Sequence, residues 1–280
     1  MREKAGKKVL KKTKQRKQKE KKKKGYVPQK ALFGDLDDYG VYRPEPYELL
    51  LGGLVIFGIG FFVGMVFYRN ILLSAIVGAA ALYPGMKKYK DMKKDRRQHA
   101  LLLQFRDMME SLTASYSVGK NTNEAFQDAL ADLSNIYAPN ADIVNELRWI
   151  VNGILNGKDI QELLDNFARR SHLDDIESFA TIFAVSSQYG GNLKRVVAET
   201  RDIISDKIEI ELEIQTLLTA NNNELNIMIV MPVILMLMLS SVGNLSIVQN
   251  TPLNVLVKTV AIVIFVAAYM IGQKIVNIRI

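Results

Sequence analysis

The chain has 280 residues, of which 49% are hydrophobic, and it contains no cysteine, which excludes disulfides, thiolate nucleophiles and cysteine-based metal sites. Its formal net charge of +8 is segregated, because residues 1–30 hold 15 Lys and Arg against two acids, a balance of +13, whereas the rest of the chain carries −5. The sequence therefore describes an acidic protein with a basic tail, which argues against a general nucleic-acid binder.

Residues 1–47 are predicted to be a basic, disordered cytoplasmic tail followed by a juxtamembrane linker. Attraction to anionic lipid is worth roughly 1 kcal/mol for each basic residue near the membrane surface. Nucleic-acid binding by the tail is not expected, since Tyr26 is the only aromatic residue among the first 30. The candidate membrane-surface contacts, in the tail and after the second apolar stretch, are Lys21, Lys22, Lys23, Lys24, Lys87 and Lys88.

Two apolar blocks, residues 48–86 and 225–280, are each predicted to form a transmembrane hairpin. The first span, Leu49–Tyr68, has no charged residue and is long enough to cross a hydrocarbon core of about 30 Å. The Gly60-xxx-Gly64 pair within it indicates close packing against another helix. The excess of Lys and Arg near the span ends predicts that both termini and the intervening domain are cytoplasmic.

Residues 87–224 are predicted to form a cytoplasmic bundle of about six helices, because apolar residues recur at helical spacing without strand-like alternation. Asn121 with Glu124 three residues later predicts a capping box, and Asn140 and Asp159 predict two more N-caps. A long sixth helix is expected to run without a break into the third span. The predicted fold is thus an all-α integral membrane protein with four transmembrane helices and this bundle between spans two and three.

No catalytic, metal or cofactor site is predicted, and the chain is not expected to be an enzyme. The only histidines are His99 and His172, which lie at a basic helix start and near a helix end, where capping or solvent exposure is favoured over catalysis. Trp149 and Phe179 are predicted to belong to the core. A small membrane transporter or channel with a cytoplasmic regulatory domain is the alternative, with Lys258, Asn226 and Pro232 lining a path.

Four segments in order resemble the type II secretion system F domain family. They are Ser115–Leu130, Ile154–Arg170, Ser186–Glu199 with its Gly-Gly-Asn-Leu turn, and the charged helix that leads into a span. One such domain between two pairs of spans is most similar to the inner-membrane platform proteins of Tad pili, TadB and TadC. The resemblance implies a multi-pass protein of the prokaryotic inner membrane.

The resemblance also implies a mechanical role. A cytoplasmic secretion ATPase would act on the helical domain and so help to lift prepilin subunits from the membrane into a filament. Other implied partners are a second platform protein, further copies of this chain and anionic lipid, with no nucleic acid. The candidate coupling or partner-contact residues are Gly119, Gly157, Gly190, Gly191, Asn192, Glu209 and Glu213.

Overall fold

The computed structural model describes residues 32, 36–42, 44, 46–241 and 251–276. The all-helical prediction is confirmed, with no strand in these ranges. The helices are α1 Pro46–Tyr68, α2 Ile71–Ser117, α3 Thr122–Ile136, α4 Asp142–Leu155, α5 Ile160–Ser171, α6 Asp174–Gln188, α7 Leu193–Ser241 and α8 Pro252–Val276.

The described residues divide into two compact units. The helical unit comprises the residues up to Val41 together with Ala114–Leu193, and the long-helix unit comprises Tyr42–Thr113 and the residues from Lys194 onwards. α2 and α7 each contribute residues to both units. These two helices, together with the Val41–Tyr42 peptide bond, are therefore the covalent connections between the helical unit and the long-helix unit.

Two helices among the described residues are long and apolar enough to cross a membrane, namely Pro46–Tyr68 and the Pro252–Gly272 part of α8. A shorter apolar stretch, Asn223–Met238, lies inside α7. The predicted second span, residues 71–86, forms the start of the 47-residue α2. The chain thus carries membrane-span candidates, and the arrangement of four spans stays a prediction.

The N-cap residues in the sequence predicted most helix starts correctly. Asn121 accepts a hydrogen bond from Glu124 N at 3.0 Å and donates from its own backbone to the Glu124 carboxylate, which confirms the capping box. Asp159 caps α5 by accepting from the Gln161 N–H at 2.9 Å. The cap predicted at Asn140 is wrong, because a turn bond from Ala141 N to Ala138 O delays the helix and makes Ala141 the N-cap.

The helical unit packs the inner faces of α3 to α6 around a cluster of phenylalanines. The ring of Phe183 lies edge-on to Phe126, with centroids 6.3 Å apart, and its centroid is 5.6 Å from that of Phe179. Phe179 is core as predicted, at 1% exposed. The same prediction for Trp149 is wrong, since this ring is 38% exposed at the edge of the unit.

In the long-helix unit α1 and α2 approach closely at their glycines. A Cβ added to Gly64 would lie 2.7 Å from Ser74 Cα, and one on Gly60 would lie 3.0 Å from Gly78 Cα. The close helix packing predicted for this pair is confirmed. Farther along the same unit, His99 Nδ1 on α2 lies 3.7 Å from a Glu211 carboxylate oxygen on α7.

Candidate functional site

The predicted turn glycines lie just beyond the C-caps of three helices. Gly119, Gly157 and Gly190 have φ values of +84°, +75° and +70°, a conformation that residues with a Cβ adopt only with strain. The residue after each of the first two closes the turn, with bonds from Lys120 N to Ser115 O at 3.2 Å and from Lys158 N to Gly153 O at 3.0 Å. These glycines are therefore explained by helix termination, and a partner role for them is a separate proposal.

Position 191 requires glycine because there is no space for a side chain, and not because of its backbone φ angle. Its N–H donates to Ser186 O at 2.6 Å, and an added Cβ would lie 2.9 Å from Ser186 Cβ and 3.0 Å from its Cα. A side chain here would force the α6–α7 turn open. Asn192, which follows, is exposed.

The charged candidate residues that the structure describes and the turn residues belong to different units. Glu209 and Glu213 are exposed on the part of α7 that belongs to the long-helix unit, and Lys87 and Lys88 are exposed on α2. The four tail lysines, residues 21–24, lie outside the described residues. The turns belong to the helical unit.

The helical unit contains a buried ion pair that sequence reasoning missed. Arg170 on α5 donates from Nη1 and Nη2 to the two carboxylate oxygens of Glu146 on α4, at 2.6 and 2.5 Å. Their side chains are 2% and 1% exposed. Arg170 Nε donates to Asn166 Oδ1 at 2.8 Å, one turn earlier on its own helix. The guanidinium is thus held in one orientation by two neighbours.

The remaining partners of the pair come from residues 36–41, which we call the strap. Tyr39 is 2% exposed although it lies outside any helix. Its hydroxyl donates to Glu146 Oε1 at 2.7 Å, and its backbone N–H donates to Arg170 O at 2.9 Å. Arg170 Nη1 also donates to the carbonyl of Asp37 at 3.1 Å. This part of the predicted linker is therefore packed against the helical unit.

A second contact fixes the strap at the end of α5. His172 Nε2 lies 2.8 Å from Asp38 Oδ1, which also accepts from the Gly40 N–H at 2.8 Å. His172 has a φ of 55° and ends the helix, so its predicted place at a helix end is correct. A Cβ on Gly40 would lie 2.5 Å from the His172 ring. A side chain at position 40 would therefore require the His172 ring to move.

Burial and charge set the ionisation of the cluster. Desolvation, reinforced by the charges of Glu146 and Asp142, raises the pKa of Tyr39 well above its ordinary value. Burial alone would lower the pKa of Arg170, but the hydrogen bond and charge of Glu146 outweigh it and the net pKa is raised. Tyr39 is thus a neutral donor and Arg170 a fixed cation. Such a cluster holds a segment in place by hydrogen bonds to a fixed charge.

The space beside the cluster is small. A cavity of about 20 Å³ is close to the volume that one water needs. It is lined by Leu32, by Leu36 of the strap and by residues of α4 and α5. No group of three or more His, Asp or Glu side chains in the described ranges is placed to hold a metal ion. The cluster is thus a tightly packed contact between the strap and the two helices.

The sequence carried one signal for this cluster. Glu146 falls on the apolar face of α4 between Ile143 and Ile150, and Arg170 falls on the face of α5 defined by Leu163 and Phe167. Because an ionised side chain is almost never fully buried without a partner, two opposite charges on inward faces predict a pair. Nothing local indicated that Tyr39 would complete it.

The residues named for the transport alternative differ in their exposure. Lys258 is 7% exposed, whereas Asn226 is exposed and Pro232 lies inside α7.

Part of the chain matches a known protein family. Residues 109–240 match the family model described as Type II secretion system (T2SS), protein F. The matched region runs from α2 through the turns described above into the apolar part of α7, and it excludes the strap. No curated protein and no solved structure matches the chain significantly. The match supports the resemblance seen in the sequence, and the domain is one found in platform proteins of secretion and pilus machines.

Proposed function

We propose that the chain, whose residues 109–240 match the secretion protein F family, is an inner-membrane platform component of a Tad-like or type IV pilus machine or of a type II secretion machine. In this role it couples a cytoplasmic secretion ATPase to the extraction of pilin subunits and to filament assembly. The alternative function, transport of a small solute, has no observation that favours it.

The observation that carries the proposal is the continuity of α7 within the matched region. This helix has 49 residues from Leu193 to Ser241, a length of about 70 Å at 1.5 Å per residue. It begins directly after the Gly190-Gly191 turn of the helical unit and includes the apolar stretch Asn223–Met238. A helix without a break transmits a displacement along its axis, which is what a platform driven from the cytoplasm requires.

The experiment that tests this role combines deletion with recovery of partners. Deleting the gene is expected to abolish the filament or secreted product, and a plasmid copy is expected to restore it. The tagged, mildly solubilised protein is expected to retain a secretion ATPase and a second platform protein. Normal assembly in the deletion strain, or solute uptake by liposomes that contain only this protein, would reject the proposal.

The proposed topology has four spans, with both termini and the helical unit in the cytoplasm. Because the chain has no cysteine, single cysteines report the side of the membrane cleanly. We expect Arg69→Cys, between α1 and α2, to react with a membrane-impermeant maleimide in intact spheroplasts. Lys120→Cys, in the exposed turn after α2, is expected to react only after permeabilisation. Equal labelling of the two variants would contradict this topology.

A further inference from the structure

We propose that the face formed by α4 and the end of α5 is a binding site for the chain's own Asp37–Gly40 segment, and that the strap docks there reversibly to complete the buried Glu146–Arg170 pair. The strap lies outside the residues matched by the family model. It is therefore an addition to the family region that makes the stability of the helical unit depend on the N-terminal segment.

The hydrogen bonds show why the pair needs the strap. A buried ion pair is stable only when its remaining donors and acceptors are satisfied, because desolvation of the two charges is costly. The strap supplies two of these partners, the Tyr39 hydroxyl to Glu146 and the Asp37 carbonyl to Arg170. No buried side-chain nitrogen or oxygen in the described ranges lacks a partner. Removing the strap would open both charges to partial hydration.

The contacts of the strap are specific in both chemistry and shape. Glu146 accepts a hydrogen bond from the Tyr39 hydroxyl. The Arg170 guanidinium donates to a backbone carbonyl of the strap, and the Arg170 carbonyl accepts from a backbone N–H of the strap. The His172 ring lies against a carboxylate. Gly40 passes where any Cβ would collide with His172. The site therefore recognises an Asp-Tyr-Gly sequence and is not a general apolar surface.

Docking is expected to be reversible because the strap is short and lies outside any helix. Its Tyr39 N–H bonds to Arg170 O, and Tyr39 provides its large buried side chain. Segments held by few buried contacts open at a small fraction of the free energy needed for global unfolding. Opening of the strap should expose α4 and α5 while α3 and α6 keep their packing.

Hydrogen exchange of the full chain in nanodiscs tests this coupling. Tyr39→Ala removes the anchor, and we expect exchange of α4 and α5 amides to accelerate at least about tenfold, since a buried donor and its packing are both lost. Tyr39→Phe deletes only the hydroxyl and should give a smaller acceleration in the same peptides. The matched control is Tyr42→Phe, whose hydroxyl bonds to Glu48 in the other unit and which should leave α4 and α5 unchanged. Wild-type exchange in both Tyr39 variants would overturn the proposal.

A cross-link identifies which chain provides the strap. In Gly40→Cys/His172→Cys the ring that would collide with the new Cβ is gone, and the two thiols are the only ones in the chain. Oxidation is expected to form a disulfide within one chain and to slow the exchange of α4 and α5. A disulfide-linked dimer would show that a second copy supplies the segment, and the absence of any disulfide would show that the strap does not occupy this site. Either result overturns docking within one chain, whether or not the protein is a pilus platform.

Discussion

Replacing Arg170 with methionine is expected to lower the local unfolding free energy of α4 and α5 by about 3–5 kcal/mol, because the carboxylate of Glu146 would remain buried without its counter-charge. The two side chains are 2% and 1% exposed, so water cannot replace the guanidinium without opening the site. Hydrogen exchange of the full chain in nanodiscs measures this free energy in the α4 and α5 amides. In the same variant we expect faster hydrogen exchange in the strap as well, because the Asp37 carbonyl loses the hydrogen bond that Arg170 donates.

Two further variants show whether the loss of stability in Arg170→Met is caused by the buried, unpaired charge of Glu146. Glu146→Leu/Arg170→Met removes both charges and should recover most of the lost stability, as replacement of a buried pair by apolar residues is often neutral. Arg169→Met removes the neighbouring guanidinium, which is 64% exposed and paired with Asp165. It should change stability by no more than about 0.5 kcal/mol. Equal effects of the Arg169 and Arg170 variants would mean that the buried pair is not desolvated in solution.

Features set by neighbouring residues could be predicted from the sequence. The Asn121–Glu124 capping box depends on two side chains three residues apart, and the left-handed turns depend on single glycines such as Gly119 and Gly157. The prediction of an N-cap at Asn140 was wrong because the preceding turn, closed by the bond from Ala141 N to Ala138 O, shifts the helix start by one residue. Such shifts depend on backbone hydrogen bonds that residue preferences do not specify.

The strap could not be predicted because its partners are distant in sequence. Tyr39 meets a carboxylate 107 residues away, and Arg170 meets a carbonyl 133 residues away. Turn formers and acids around Tyr39 are equally typical of an exposed linker. The charges of Glu146 and Arg170 on inward faces indicated that α4 and α5 form a polar contact there. The helical spacing of apolar residues could not show that a segment outside the helices takes part in it.

The arrangement of spans depends on helix continuity as well as on hydropathy. Residues 71–86 are apolar and are followed by a basic stretch, so the sequence predicts a span that runs on into the first helix of the bundle. The structure joins both in α2, which passes through Pro84 without ending. Hydropathy locates the apolar stretch, whereas helix continuity depends on backbone bonds that tolerate a proline when neighbouring groups compensate.

Interrupting α7 is expected to have the largest functional effect, loss of assembly of the filament or secreted product. Asp206→Pro removes one backbone N–H bond and places its ring against the carbonyl of residue 202, at a cost of about 3 kcal/mol or more. Asp206 is exposed, so the change alters the helix and not the core. Under the proposed function, a kinked α7 no longer passes displacement from the helical unit to the apolar stretch.

A graded series at Asp206 separates helix continuity from the loss of a charge. Asp206→Ala keeps the helix and should assemble normally, whereas Asp206→Gly costs about 1 kcal/mol of helix stability and should give an intermediate level. Spin labels at Lys194→Cys and Leu212→Cys, both exposed, should lie about 27 Å apart along a straight helix, and the proline should broaden that distance. Unchanged exchange in α4 and α5 would show that the bundle stays folded. A proline variant with a broadened distance and normal assembly would mean that α7 does not act as a stiff connection, because the helix would be broken and the machine would still work.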